Sequence, residues 1–342
     1  MLHDKFPVPQ QTNLRSTLSR RALIRAGGLS LAGLALGALA PEAEGADLPA
    51  PRFLREWGKR GKAEGEFDPP IGIAVNRADE LFVTDFRNAR VQKFDTEGKL
   101  LAVFPVAEQP GGIAVDEDGN FYVGHFTDKL TLYSPQGKQI GDWGRSGKGD
   151  GEFQQPGGMA FGPDGLLYVA DETNHRVQKF DREGRFRGKW GEYGTGPGQF
   201  GGNTSEKVRT GGPQFLAFDS QGNVYTTEAS VGRIQKFTPD GKYLLSWGDN
   251  GTGPGGFGGR PRNLPGPIAI CADRQDRLWI SATNHRVQQF TAEGKFLRGF
   301  GAQGTAPGEF HTPHGLVLDR KGRLYVVDAQ NCRIQKFEVP ES

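Results

Sequence analysis

Gly157-Gly-Met-Ala-Phe161, Leu167-Tyr-Val-Ala-Asp171, Arg176-Val-Gln-Lys-Phe180 and Arg185-Phe-Arg-Gly-Lys-Trp-Gly191 are four short runs whose reading decides the fold. Each is rich in β-branched, aromatic or aliphatic residues and is bounded by turn signals, the pattern of four successive antiparallel strands. The turn between the first two is Asp164-Gly165 and that between the last two is Glu183-Gly184. Glycine supplies there the positive φ that a tight hairpin requires. The same sentence recurs six times along the 342 residues. Its third run closes at Phe94, Tyr133, Phe180, Phe237, Phe290 and Phe337. The sixth copy ends with Arg333-Ile-Gln-Lys-Phe337 and lacks a fourth run; an isolated fourth run, Arg52-Phe-Leu-Arg-Glu-Trp-Gly58, stands far upstream.

A single four-stranded sheet cannot bury both its faces, and radial stacking of sheets buries both while leaving only short edges. The repeat length, roughly 40–50 residues, is that of a propeller blade. The expected fold is therefore all-β: a six-bladed β-propeller of four-stranded antiparallel blades over residues 52–340, its last blade closed by the N-terminal strand. Val177 and Phe180 are three residues apart, so each is expected to face a different neighbouring blade. Two insertions, 192–213 and 249–267, precede the fourth and fifth copies.

Residues 1–45 read as a leader, followed by a short linker at 46–51. Ser19-Arg20-Arg21, Leu23 and Arg25 precede a mildly apolar, glycine-containing run over 26–40. That run is shorter than the roughly 20 residues of a spanning helix. It resembles a twin-arginine signal peptide, with Leu23 where phenylalanine is usual. The resemblance implies export to the periplasm or beyond, with no membrane span after cleavage. The leader holds Lys5, Arg15, Arg20, Arg21 and Arg25 against Asp4, Glu42 and Glu44, which is the whole chain's net charge of +2. The mature chain is thus formally neutral, which argues against nucleic acid as partner, since that binding rests on a basic surface. Two cysteines, Cys271 and Cys332, make no disulfide framework.

Leu167-Tyr-Val-Ala-Asp-Glu-Thr-Asn-His-Arg-Val-Gln-Lys-Phe180, echoed by Thr283-Asn-His-Arg-Val-Gln-Gln-Phe290 and Asp328-Ala-Gln-Asn-Cys-Arg-Ile-Gln-Lys-Phe337, resembles the NHL repeat. The family includes RNA-binding proteins, receptor sensor domains, the peptide-amidating lyase and, more distantly, the streptogramin B lyase; the last two are metal-dependent enzymes. Fold follows from the resemblance far more firmly than function, because one fold hosts many chemistries.

Candidate site residues lie where second strands end and where first strands begin, on the propeller's loop face. His125 replaces the aspartate found at Asp85, Asp171 and Asp328, a position where Glu228 stands in the fourth copy. Those acids read as turn caps, and the recurrence of Arg90, Arg176, Arg233, Arg286 and Arg333 reads as a structural pairing with those loops or carboxylates, not as an anion site. His175 and His285 are repeat-locked loop residues. His311 and His314 flank Thr312-Pro313 at the start of the sixth copy. Pro313-His314-Gly-Leu-Val-Leu318 resembles the segment of the amidating lyase that carries a zinc-binding histidine. The corresponding slots, read as Ile71, Gly111, Gly157, Gln214 and Gly266, offer no further imidazole, whereas catalytic zinc takes three protein ligands. Gly251-Thr-Gly-Pro-Gly-Gly256 has the spacing of a dinucleotide loop but no helix to follow it, and is excluded as one.

These readings lead to an exported, monomeric propeller scaffold that binds a protein, peptide or glycan on its loop face. Its ligand-binding candidates are His125, Glu228, His311, His314 and, in the insertions, Arg209, Arg260 and Arg262. No catalysis and no cofactor is required. The alternative is a metal-dependent lyase or hydrolase with zinc, or calcium, held by His125, His311 and His314.

Overall fold

The computed structural model describes residues 48–203, 210–258 and 266–340. The leader at 1–45, with its signal-peptide reading, lies outside the described residues. Six four-stranded antiparallel sheets follow one another as blades. Blade one holds Pro70–Val75, Leu81–Asp85, Arg90–Phe94 and Leu100–Pro105 in sequence order. Blades two to five repeat that order. A further two-stranded hairpin, Gly202–Asn203 with Thr210–Gly211, sits in the first insertion.

Blade six is assembled from both ends of the chain. Pro313–Leu318, Leu324–Asp328 and Arg333–Glu338 are completed by Arg52–Trp57, with Phe53 opposite Phe337 and Trp57 opposite Ile334. The ring therefore closes as the displaced run predicts. Arg298 reinforces the seam: its buried guanidinium donates to the Pro49 carbonyl at 2.8 Å and lies over the Trp279 ring.

The core consists of clusters between blades. Val177 packs with Leu216, Val224 and Phe237 of blade four, whereas Phe180 packs with Phe153, Tyr122 and Trp143 on the blade-two side. The fourth-strand tryptophans key each blade to the next. Trp57, Trp143, Trp190 and Trp247 lie against Gly98, Gly184, Gly241 and Gly294, where a Cβ would come within 2.4–2.7 Å of the indole. These glycines also carry φ between 77° and 84°, so geometry and contact both demand them.

Near the axis, hydroxyls tie neighbouring blades. Thr84 Oγ1 donates to the Gly111 carbonyl at 2.8 Å, Thr227 Oγ1 to Ile268 at 2.6 Å and Ser281 Oγ to His314 at 2.6 Å. Strand registers align Gly72, Gly112, Gly158, Ala269 and Gly315 around the channel, with Phe215 in the same slot of blade four. Five small residues leave room for one large one. A Cβ on Gly158 would meet the Phe215 ring at 2.4 Å. Beneath it, on the side of the first hairpin turns, lies a cavity of about 370 Å³ lined by aliphatic and aromatic side chains such as Ile113, Met159, Phe161 and Phe218.

Candidate functional site

The loop face is built on a repeated carboxylate cage. In blade three, Asp171 is wholly buried and accepts from Gln154 N at 2.8 Å, Asn174 Nδ2 at 2.9 Å, Arg176 Nε at 2.7 Å and Gln178 Nε2 at 3.1 Å. The rest of the Arg176 guanidinium donates to the carbonyls of Lys148, Gly149 and Glu152, which pins the preceding loop. Asp85, Glu228 and Asp328 take the same pairing with Arg90, Arg233 and Arg333 at 2.7–2.8 Å. Burial raises the Asp171 and Glu228 carboxyls, and the arginine and hydrogen-bond donors oppose that rise. A buried charge must be paired and hydrogen-bonded to be tolerated. These residues are therefore frame, and their charges are already used.

Of the expected face residues, Glu228 and His125 are wholly buried. His125 stands in the aspartate's place, pairs in the ladder with Pro110, and lies 3.0 Å by Nδ1 from the Glu108 carbonyl. Its Nε2 is buried without a partner, and burial lowers its pKa to about 4. His311 is exposed, with its ring edge-on to His285 at 5.6 Å. His314 lies at the channel, edge-on to the Phe215 plug at 5.8 Å, with Nδ1 buried and unpartnered and a pKa lowered to about 4 by burial. Arg209, Arg260 and Arg262 lie outside the described residues. The ladder corrects one alignment: Pro267 pairs with Ala282 as Pro313 pairs with Asp328, so the blade-five counterpart of His314 is Ile268, not Gly266. Among the described residues, no three His, Cys, Asp or Glu side chains gather as a metal cluster. Cys271 and Cys332 are both free thiols.

A groove of about 740 Å³ lies on the loop face over blade three, lined by Ser146, Lys148, Asn174, His175, Lys189 and Tyr193 among others. Tyr193 is 54 % exposed and its ring meets His175 edge-on at 5.0 Å. Both His175 ring nitrogens and Thr173 Oγ1 are buried without hydrogen-bond partners. Burial lowers the His175 pKa. Sequence reasoning passed over Tyr193 and Phe215. The signal for each was an outsized aromatic at a repeat position that is polar or tiny elsewhere: Arg60, Ser146 and Gln303 for the first, glycine or alanine for the second.

The architecture defines a class, the six-bladed β-propeller, and three of its segments, residues 67–94, 153–180 and 310–337, match the NHL repeat. Among curated proteins, the chain is 26% identical over 129 residues to Protein brain tumor of Drosophila melanogaster, covering 37% of this chain and 11% of that one. It is 30% identical over 90 residues to NHL repeat-containing protein 3 of Mus musculus, covering 25% of this chain and 26% of that one. The matches thus span about a quarter or less of those relatives. The solved structure of streptogramin B lyase superposes with a TM-score of 0.57 at 13% identity, covering 85% of this chain and 98% of that one, a likeness of fold.

Proposed function

We propose that this chain is an exported, monomeric propeller scaffold whose loop face binds a protein, peptide or glycan ligand without catalysis. The observation that carries the reading is the groove over blade three, where an exposed aromatic ring, Tyr193, stands among polar and charged side chains such as Ser146, Lys148 and Lys189. Pockets that orient ligands combine apolar or aromatic surface with a few convergent polar groups. The buried cages hold the frame rigid beneath them, and the Ser19-Arg20-Arg21 leader supports export. The test uses residues 46–342 probed on peptide and glycan arrays, with Tyr193→Ala in parallel. Saturable binding weakened at least tenfold by the substitution is expected; no saturable binding on either array sinks the proposal.

His314 at the channel favours a second reading, a metal-dependent lyase or hydrolase. The described residues do not fit a zinc centre: the slots ringing His314 are Ile71, Gly111, Gly157, Gln214 and Ile268, and a catalytic zinc needs three protein ligands. Stoichiometric zinc in the purified protein, lost in His314→Ala, would reinstate it.

A further inference from the structure

Four blades pair a carboxylate at the end of the second strand with an arginine directly opposite at the start of the third: Asp85 with Arg90, Asp171 with Arg176, Glu228 with Arg233 and Asp328 with Arg333. Blade two has neither, with His125 opposite Lys129. Blade five alone keeps the arginine and lacks the carboxylate, because Ala282 stands opposite Arg286.

The surroundings are retained in part. Gln288 makes the loop contacts of its counterparts, accepting from Gly255 N at 3.1 Å and donating to the Gly256 carbonyl at 3.0 Å. The turn at Gly255-Gly256 therefore keeps its place, whereas the bridge that joins Arg60 to Phe67, Ser146 to Phe153, Tyr193 to Phe200 and Gln303 to Phe310 has no counterpart at Phe257 among the described residues. Arg286 nevertheless makes none of the hydrogen bonds its counterparts make to that loop, and among the described residues it has no ion pair. Its Nε is buried with no acceptor, and Asn284 Oδ1, two residues earlier in the chain, is also buried and unpartnered. One terminal nitrogen has turned toward the outer strand, 3.3 Å from where a Gly299 Cβ would stand.

A half-buried guanidinium without a counter-charge is costly, its planar fork of donors can bind a carboxylate bidentately, and four other blades place a carboxylate against the same arginine. We propose that the loop-face rim of blade five is a carboxylate-binding site, in which Arg286 beside Ala282 takes from a ligand the group that the other blades supply from their own chain. The site deepens, and rests on, the reading of the loop face as a ligand surface. The carboxylate belongs either to a peptide or to a free small acid.

Thermal melts of residues 46–342 in sodium acetate against sodium chloride at equal ionic strength test the site. Ligand that binds only the folded state raises the melting temperature saturably, by about 2 °C or more once it is well above its Kd. Acetate is expected to do so, Arg286→Gln to abolish the response, and Ala282→Asp to raise the melting temperature without acetate while removing its effect. Absence of an acetate response in the wild type, or its persistence in Arg286→Gln, overturns the proposal. The Arg286→Gln comparison stands even if Ala282→Asp does not fold. A capped Ala-Glu-Ala peptide against capped Ala-Gln-Ala separates the sources: a response to the first shows that pendant carboxylates are taken, and acetate alone points to a free acid. Array binding with an acetate response that persists in Arg286→Gln would refute this site and leave the scaffold reading intact. An acetate response without array binding would do the reverse.

Discussion

Trp57→Ala tests whether the ring is closed by its N-terminal strand. The Trp57 indole lies 6.0 Å from the Phe94 ring of blade one and 6.2 Å from Tyr325 of blade six, and it covers Gly98. Removing a fully buried tryptophan costs about 3–5 kcal/mol. Trp57 is half-buried, so about 2–3 kcal/mol is the fitting figure, on roughly 25 cal/mol per Å² of apolar surface. For a chain of this size that corresponds to a fall in melting temperature of about 3–5 °C. Trp190→Ala is the internal control, since Trp190 occupies the same position on Gly241, inside the chain's continuous path. Calorimetry of residues 46–342 should give comparable losses for the two variants. If Trp190→Ala costs about 2–3 kcal/mol and Trp57→Ala less than about 0.5 kcal/mol, the N-terminal strand does not hold the ring, and the closure argument fails.

Three further outcomes are expected. Asp171→Ala should cost about 3–5 kcal/mol by chemical denaturation, because it leaves the Arg176 guanidinium buried without its counter-charge. His125 is held neutral with a pKa near 4, below its unfolded value of about 6.5, so the unfolded chain binds more protons between those limits. Its contribution is full above about pH 6.5 and is lost as pH falls toward 4. His125→Gln should therefore flatten the stability–pH curve over that window, read as a difference from wild type, since the raised carboxyl of Glu172 titrates with the opposite sign. Finally, Arg20→Lys combined with Arg21→Lys should abolish export of a folded reporter fused to residues 1–50, measured by cell fractionation; unchanged export would remove the twin-arginine reading.

The repeats were legible because they are local: hairpin glycines, alternating apolar runs and the displaced fourth strand all leave marks within a few residues, and they imply ring closure by counting. The partnership of Asp171 with Arg176 was also legible, since recurrence at fixed spacing signals structure. The export reading, too, rests on the leader alone. What the sequence left open is which of these positions face solvent. His125 and Glu228 stand on the loop face in sequence order, yet both are buried under the connection that enters their own blade, where His125 lies against the Glu108 carbonyl and Glu228 accepts from Gly201 N. Phe215 became a channel plug only because five small residues from other blades converge on it. Arg286 reads as one more member of its series until the ladder sets Ala282 opposite it. Cross-strand register, not composition, decides whether an arginine has its counter-charge within reach.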